Sequence, residues 1–411
     1  MTAALESTPR VHQRSWAFAA LLASLAMLGP FAIDMYLPAF PDIGREFGAS
    51  QLALQQTLSA YLFAFAFMML WHGALSDSLG RRLIVLAGLA VFALGSLGCA
   101  IAGNVQSLWL FRALQGLSAG TGLVVGRAII RDRFSGPEAQ RMMSQVTLVF
   151  GMGPALAPII GGALLNLLGW RSIFWAMLVW TIAMLVLCIR LLPETLPVAQ
   201  RQRLHPRALW RNYRAVLTQP NFTLLALVPS LNFCGFFVYI AVAPVFLVDL
   251  LGISTWGFSW LFVPMISGIM VGAWISGRLA GRMSPLRQIR TGYAVLAAGV
   301  FVNLAICALA PPFVAANVLP IMVYTIGAGI IMPSVTLLLL DMFPTMRGMA
   351  SSLQGFVQFA LAGVVAGTIA PLLARSLVAL AAGMAGFTLA SFLLWLTYQR
   401  RARSTLKGWA P

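Results

Sequence analysis

Twelve apolar runs, each long enough to cross a membrane, constrain the fold of this chain more than any other feature. A spanning helix needs about 20 apolar residues, and a helix satisfies its own backbone hydrogen bonds in lipid. The predicted fold is therefore an all-α polytopic membrane protein with twelve transmembrane helices. The runs cover residues of about 15–40, 51–75, 83–103, 105–127, 142–168, 172–192, 221–249, 257–280, 288–310, 313–340, 350–373 and 376–398.

Composition excludes several other classes of protein. Charged residues make up 9% of the chain, against roughly 25% in soluble domains, and the 60% apolar content excludes a disordered chain. The only lysine, Lys407, is followed by Gly408, so the Gly-Lys-Ser/Thr of a phosphate-binding loop is absent. The four cysteines lie inside apolar runs, which indicates buried thiols and not a zinc site. The sequence predicts no enzyme, no cofactor and no metal.

The positions of the three histidines argue against a bound haem. His12, His72 and His205 lie at or beyond the ends of apolar runs. A haem held between helices needs paired histidines inside spans, and this placement argues against one.

The basic residues predict the orientation of the chain. With the N-terminus in the cytoplasm, all but four of the 27 lysines and arginines fall in cytoplasmic segments or at their edges. Arg45, Arg171 and Arg375 fall outside, and Arg112 lies inside a span. Cytoplasmic loops carry such an excess, so both termini are predicted to be cytoplasmic, in a bacterial-type inner membrane. The same placement explains the net charge of +17 without a nucleic-acid partner.

The longest break between runs divides the chain into two sets of six spans. The predicted organisation is a cytoplasmic tail 1–14, an N-terminal six-helix bundle 15–192, a cytoplasmic central loop 193–220, a C-terminal six-helix bundle 221–398 and a tail 399–411. Two alternatives stay open for the loop. It is a flexible linker, or it holds a short amphipathic helix on the anionic inner leaflet, whose apolar face is formed by Leu204, Leu209, Trp210, Tyr213 and Leu217.

A compact motif, G-A-L-S-D-S-L-G-R-R, covers residues 73–82 after the second span. Two helices that turn within a few residues need small residues, here Gly73 and Gly80. Asp77, Arg81 and Arg82 can form a charge network that locks neighbouring helices in one conformation and acts as a conformational gate. A plain tight turn with positive-inside arginines is the alternative.

A related segment follows the eighth span at residues 277–282, with Gly281 in the place of Asp77. The offset equals about half the chain, so the sequence predicts a six-plus-six pseudo-symmetric repeat. The charge network that locks the conformation is therefore predicted in the first half of the chain only.

Asp34 lies inside the first span. A carboxylate there costs on the order of 3 kcal/mol, and its predicted role is that of a proton carrier. Pro30 and Pro38 interrupt the helix and free backbone carbonyls, which need partners in a protein-lined cavity. The alternative is a carboxylate that reaches the outer surface.

Arg112 lies in the fourth span, in the sequence R-x-x-Q-G that ends at Gly116. Asp34 and Arg112 are predicted to lie at similar depth in the same half of the bilayer, paired directly or through water. Arginine stays charged, so Arg112 is expected to tune proton coupling and not to carry the proton. A structural ion pair is the alternative.

The fifth span contains a cluster of glycines and prolines, which let helices approach closely and bend. Its members are Gly153, Pro154, Pro158, Gly161 and Gly162. Generic small-residue packing is the alternative. Polar or aromatic residues in mid-span are candidates for substrate binding, or else ordinary bundle packing: Gln115, Asn232, Phe236, Tyr239, Tyr324, Gln354 and Gln358.

Together these motifs resemble the major facilitator superfamily. The 73–82 segment resembles its signature loop, the Arg112 sequence its fourth-helix motif, and the Gly153 cluster the fifth-helix motif of its drug exporters. With the sequence D-M-Y-L-P-A-F-P over residues 34–41, the chain is similar to the Bcr/CflA drug-resistance branch.

The resemblance implies a proton-coupled antiporter that exports drugs or other small amphiphilic compounds by alternating access across the inner membrane. Chloramphenicol- or bicyclomycin-like compounds are the implied substrates, with protons and membrane lipid as further partners, and the chain is predicted to act as a monomer. Residues 25–27, before Asp34, contain no second acid, which favours neutral or monocationic compounds. Two alternatives remain: a transporter of a physiological metabolite, and a membrane-embedded enzyme or proton-channelling subunit.

Overall fold

A computed structural model describes residues 8–280, 282–343 and 346–407, and in these ranges every regular element is helical. Twelve of its helices, some of them interrupted, are long and apolar enough to cross a membrane. The predicted all-α fold with twelve spans is confirmed. Parts of the predicted tails 1–14 and 399–411, and Gly281, lie outside the described residues.

Eight helices build the first six spans. They are α1 (Thr8–Asp34), α2 (Phe40–Phe47), α3 (Gln51–Leu79), α4 (Arg81–Ala100), α5 (Val105–Ala119), α6 (Thr121–Arg133), α7 (Gly136–Leu168) and α8 (Arg171–Leu191). The first span combines α1 and α2, and the fourth combines α5 and α6.

Eight further helices follow. They are α9 (Pro206–Leu217), α10 (Pro220–Ala241), α11 (Ser259–Leu279), α12 (Pro285–Leu309), α13 (Val314–Asp341), α14 (Arg347–Val364), α15 (Ala370–Leu373) and α16 (Leu377–Lys407). A π-helical turn, Val365–Ile369, joins α14 to α15 within one span. All of these except α9 belong to the last six spans.

The first span extends further than its apolar run. It ends at Phe47, whereas the apolar pattern predicts an end near residue 40. The added helix α2 is amphipathic: Phe40 and Ile43 are buried, and Asp42 pairs with Arg45 on its other face. Hydropathy misses this part because half of its surface is polar.

The packing of the two halves repeats. In the first half α1 packs on α7, α3 on α5 and α4 on α8. In the second half α10 packs on α14, α11 on α13 and α12 on α16. These pairs correspond when the spans are shifted by six, as the predicted repeat requires. The halves meet where α3 packs on α14 and α7 on α11.

The central segment contains a docked amphipathic helix, so the expectation of a flexible linker is wrong. Leu204 of the predicted apolar face lies before this helix, and the predicted position on the inner leaflet stays a prediction. Tyr213 and Val216 of α9 are buried against the bundle, whereas Trp210 is 65% exposed. The Tyr213 hydroxyl donates a hydrogen bond to the carbonyl oxygen of Leu70 at 2.7 Å. Burial raises the pKa of Tyr213 to about 12, so this donor keeps its proton at neutral pH. We call the side of the bundle that carries α9 the loop side, and the opposite side the far side.

Candidate functional site

Asp34 is the last residue of α1, at the point where the first span breaks. The chain forms a turn after it and a short 3-10 helix, Leu37–Ala39, before α2 begins. Pro38 lies in the first turn of this short helix, whereas Pro30 lies inside α1. Asp34 is only 5% exposed, so the alternative in which it reaches the outer surface is wrong for this conformation. The break places a carboxyl group inside the protein, within the bilayer span.

Arg112 of α5 is fully buried between two tyrosine rings. Its guanidinium carbon lies 4.6 Å from the ring centre of Tyr36 and 4.5 Å from that of Tyr61. A guanidinium between aromatic faces gains on the order of 2 kcal/mol when it is desolvated. The two tyrosines therefore offset part of the several kcal/mol that burial of a cation costs.

Hydrogen bonds hold this cage in place. Arg112 donates from Nη1 to Oε1 of Gln115 at 2.8 Å, and Gln115 donates from Nε2 to the hydroxyl of Ser96 at 2.8 Å. The Tyr36 hydroxyl lies 2.7 Å from that of Thr57. The Nε and Nη2 atoms of Arg112 have no hydrogen-bond partner among the described residues. Arg112 thus keeps free donors in a closed, polar-lined site.

A direct ion pair between Asp34 and Arg112 does not form within the described residues, and that form of the predicted pairing is wrong for this conformation. The guanidinium is held by the two tyrosine rings instead. The Tyr61 hydroxyl donates to the carbonyl oxygen of Gly29 at 3.0 Å. Tyr61 therefore contacts both Arg112 and α1, the helix that ends at Asp34.

The glycine and proline cluster of the fifth span lies against this break. Pro154 and Pro158 are inside α7, which continues through both of them. A Cβ atom at Gly161 would collide with the backbone of Met35, the residue after Asp34, and one at Gly153 would meet Met27 and Phe31 at 3.4–3.5 Å. Gly161 is therefore needed for the close approach of α7 to the first span, and Gly162 follows it on the same helix.

Asp77 and Arg81 of the 73–82 motif form the predicted ion pair, whereas the side chain of Arg82 forms no salt bridge within the described residues. Arg81 donates from Nη1 to Oδ1 of Asp77 at 2.5 Å and from Nε to Oδ2 of Asp132 at 2.9 Å. Arg82 donates to the carbonyl oxygen of Ile189 at 2.6 Å. Gly80 makes the turn with a φ of +105°, which a residue with a side chain rarely adopts. Gly73 lies inside α3, one turn before Asp77, with open space at its Cβ position. The predicted need for a small residue at the turn is therefore wrong for Gly73.

Glu194 completes this network. Its carboxylate accepts the backbone N–H of Arg81 at 2.9 Å and that of Arg82 at 3.3 Å. These are free donors at the N-terminus of α4, where a negative charge is also favoured. The network therefore joins α3, α4, α6 and the segment after α8, all within the first half of the chain.

The second half contains a cavity of about 140 Å³. Three of the predicted substrate residues line it: Asn232, Phe236 and Gln358. Asn232 is 2% exposed, and neither its side-chain oxygen nor its nitrogen has a hydrogen bond of normal geometry within the described residues. The hydroxyl of Tyr293 lies beside this amide, so Asn232 brings a partly satisfied polar group to the cavity wall.

The other predicted substrate residues do not line this cavity. Gln115 holds Arg112, and the Tyr239 hydroxyl accepts a hydrogen bond from Nδ2 of Asn303 at 2.7 Å. Tyr324 donates to the carbonyl oxygen of Asn232 at 3.0 Å, directly behind the cavity. Gln354 donates to the hydroxyl of Thr336 at 3.0 Å, between α14 and α13.

Sequence reasoning missed several residues of the site. Tyr36 and Tyr61 are ordinary aromatic residues in apolar runs, and nothing local marks them as a cage for Arg112. The sequence predicts that His72 lies at the end of an apolar run. In the structure it is buried inside α3, at 2% exposure, and its Nε2 lies 2.9 Å from the hydroxyl of Thr121. Every third residue of the fourth span is polar and buried from Arg112 to Thr121, with Gln115 and Ser118 between them. This repeat is the sequence signal that could have identified a polar, buried face of the helix.

The two halves are joined by hydrogen bonds on the far side, beside a groove of about 310 Å³ between α2, α3 and the segment that follows α10. Gln56 of α3 donates from Nε2 to the carbonyl oxygen of Gly367 at 2.6 Å, and the Ser59 hydroxyl donates to that of Gly363 at 2.7 Å. Further along the same interface, the rings of Phe65 and Phe359 lie 4.6 Å apart. The loop side carries an open vestibule of about 510 Å³ between the halves.

Twelve spans in two repeated halves, with a buried carboxyl group and a buried guanidinium inside the bilayer, define a multi-pass membrane protein. Comparison with known proteins makes the assignment specific. The sequence model of the Major Facilitator Superfamily matches residues 22–367, and the chain belongs to this family. The chain is thus a transporter and not an enzyme, and the alternative of a membrane-embedded enzyme is wrong.

Two relatives whose names state drug resistance agree with the predicted branch. The chain is 33% identical over 351 residues to the uncharacterized MFS-type transporter YdgK of Bacillus subtilis (strain 168), covering 85% of this chain and 87% of the relative. It is 27% identical to the bicyclomycin resistance protein homolog of Haemophilus influenzae (87% and 90% covered). It is 29% identical to multidrug resistance protein D of Escherichia coli (strain K12) (86% and 89% covered). The similarity to the drug-resistance branch is confirmed.

Solved structures support the fold. The chain resembles a D-xylose-proton symporter with a TM-score of 0.71 at 16% identity, covering 92% of this chain and 97% of the symporter. It also resembles a bacterial homologue of the human lysosomal transporter Spinster, solved in an inward-facing and unoccupied conformation. The TM-score is 0.71 at 16% identity, covering 98% of this chain and 100% of the homologue. At such identities the likeness concerns the fold alone.

Proposed function

We propose that this protein is a proton-coupled antiporter that exports drugs or other small amphiphilic compounds across the inner membrane of a bacterial cell. The observation that carries the proposal is the position of Asp34. It is a buried carboxyl group at a helix break inside the first span, and it has no cationic partner within the described residues. A charged carboxylate without a partner is costly inside a membrane protein, so proton binding and release at Asp34 accompany a change in access.

Orientation follows from the positive-inside rule. The loop side, which carries α9 and its arginines, is cytoplasmic, and both termini lie there. The functional unit is one chain, with bundles at 15–192 and 221–398 and cytoplasmic segments at 1–14, 193–220 and 399–411. The present conformation is therefore closed to the outside and open to the cytoplasm.

Alternating access links proton binding at Asp34 to the movement of the drug. A proton that arrives from outside neutralises Asp34 and favours return to the cytoplasm-facing conformation. A drug that enters from the cytoplasm favours release of the proton and opening toward the outside. Arg112 keeps its charge throughout, and its free donors on Nε and Nη2 supply an anionic Asp34 with a partner when the first span moves.

The substrate class follows from the cavity in the second half. Its lining combines the amides of Asn232 and Gln358 with Phe233, Phe236 and Met332, and it contains no charged residue among those described. Aromatic and methionine surfaces accommodate varied apolar compounds. Neutral or monocationic compounds of chloramphenicol or bicyclomycin type match the chemistry of this lining, in agreement with the names of the relatives. At about 140 Å³ the cavity holds only part of such a compound in this conformation.

The test is drug-induced proton release in everted vesicles, with chloramphenicol, bicyclomycin and a monocationic dye as probes. We expect at least one compound to release protons with the unmodified protein and none with Asp34→Asn. Asp42→Asn, a partly exposed acid of the same span that pairs with Arg45, serves as the matched control and keeps the response. Release that survives Asp34→Asn contradicts coupling at Asp34. If no compound releases protons although folded protein is present, the result favours transport of a metabolite.

A further inference from the structure

The vestibule on the loop side has a strongly basic lining. Four arginines and one carboxylate contribute to it: Arg81, Arg127, Arg131, Arg203 and Asp77. Asp77 is already paired with Arg81, which also binds Asp132. The three remaining arginines have no acidic partner within the described residues. A cleft lined by one sign of charge focuses the field and attracts counter-ions.

Two of these arginines are held close together. Arg127 and Arg131 lie one turn apart on α6, and each is exposed to the vestibule. Like charges at this spacing repel each other. Arg203 reaches the same space from the central segment, beside His205 and Asn212. An anion between these side chains converts the repulsion into charge-assisted hydrogen bonds.

The second half contributes a helix end to the same space. Gly348 and Met349, in the first turn of α14, line the vestibule, and the N-cap residue Met346 makes no side-chain capping bond. The first N–H groups of a helix lack intrahelical partners and favour an anion. Nothing lies within 4 Å of the position of a Cβ atom at Gly348, so a ligand can approach this backbone.

We propose that the vestibule is a binding site for a phosphate-bearing anion, held by Arg127, Arg131 and Arg203. Guanidinium groups bind phosphate through paired N–H donors, and a space of about 510 Å³ accommodates a phosphate with its substituent. Two sources share this chemistry: the headgroup of an anionic lipid of the adjacent leaflet, and a soluble phosphate compound. Tyr213 and the apolar face of α9 close one wall.

The walls come from both halves of the chain, so occupancy has a consequence for the conformation. Arg127 and Arg131 belong to the first half, and Ser351 and the N-terminus of α14 belong to the second. A ligand that contacts both stabilises the conformation in which the vestibule exists, by mass action. The site therefore regulates the balance of conformations, and it does not depend on which compound is transported or on proton coupling.

Binding is measured on the purified full chain in neutral detergent with two probes. The first is inorganic phosphate, titrated against sodium chloride at equal ionic strength, with the thermal midpoint as the readout. The second is phosphatidylglycerol against phosphatidylcholine, with retained lipid counted by native mass spectrometry. Arg127→Gln/Arg131→Gln is the test variant. Arg190→Gln/Arg290→Gln removes the same charge from exposed positions outside the vestibule and is the control.

We expect the test variant to weaken binding of at least one probe by about tenfold and the control to leave it unchanged. A response to phosphatidylglycerol alone identifies the lipid headgroup as the source, and a response to inorganic phosphate alone identifies a soluble anion. Equal binding by the test variant and the control overturns the proposal. If the double variant does not fold, Arg203→Gln and the charge-retaining Arg127→Lys/Arg131→Lys provide the same comparison.

Discussion

The carboxylate of Glu194 accepts the backbone N–H of Arg81 at 2.9 Å, so the end of the sixth span caps the beginning of the third. The two residues are 113 positions apart in the chain. This contact makes the start of α4 a fixed corner of the first bundle, because Arg81 at the same time binds Asp77 and Asp132.

Glu194→Ala should lower the free energy of unfolding by about 1–2 kcal/mol, because it leaves free donors at the N-terminus of α4. Thermal unfolding in detergent measures the change. Glu138→Ala is the control, since Glu138 is an exposed acid in the first turn of α7 and no hydrogen bond of its side chain is among those described. Equal effects of the two variants would show that Glu194 acts only through its charge.

Gly161→Ala should destabilise the protein by about 1–3 kcal/mol, because a methyl group there collides with the backbone of Met35 and overpacks the contact. Gly151→Ala is the matched control on the same helix, where the nearest atom to the added Cβ is the sulfur of Met270 at 4.0 Å. This control should be neutral or stabilising, because alanine favours a helix over glycine. A neutral Gly161→Ala, measured by the same thermal unfolding, would contradict the close packing of α7 on the first span.

Gln56→Ala/Ser59→Ala should favour opening on the far side by about tenfold, because it removes two hydrogen bonds between the halves. Spin labels at Gly103→Cys and Arg375→Cys, both exposed on the far side, report the distance between the halves by double electron–electron resonance. The control is Thr368→Ala, whose exposed hydroxyl bonds only within its own helix turn. An unchanged distance distribution in the double variant would mean that the aromatic contacts alone hold the closure.

Tyr213→Phe should increase hydrogen exchange in α9, because it removes the bond to Leu70. In the unmodified protein the folded pKa of Tyr213 is about 12, above its unperturbed value of about 10. The stability that this hydroxyl contributes to the docking is therefore fully present below pH of about 10 and is lost as the pH rises through 12. Arg211→Ala, an exposed change on the same helix, should leave the exchange unchanged. Exchange in α9 that is fast in the unmodified protein at neutral pH would contradict the docking.

Local pattern was sufficient for much of this molecule. Each apolar run specifies a helix on its own, because a chain in lipid has no other way to satisfy its backbone. The turn at Gly80, the charge pair of Asp77 and Arg81 and the unusual position of Asp34 are likewise readable from short stretches of sequence. The twelve spans, the repeat and the resemblance to drug exporters depend only on such stretches.

The arrangement inside the bundle depends on packing between distant segments. The cage of Tyr36 and Tyr61 around Arg112, the cap that Glu194 provides and the docking of Tyr213 on Leu70 each join residues from different helices. Periodicity shows which face of a helix is apolar, but several faces of a spanning helix are apolar at once. Which of them meet, and which polar groups are then left without partners, is settled by how twelve helices fill one volume.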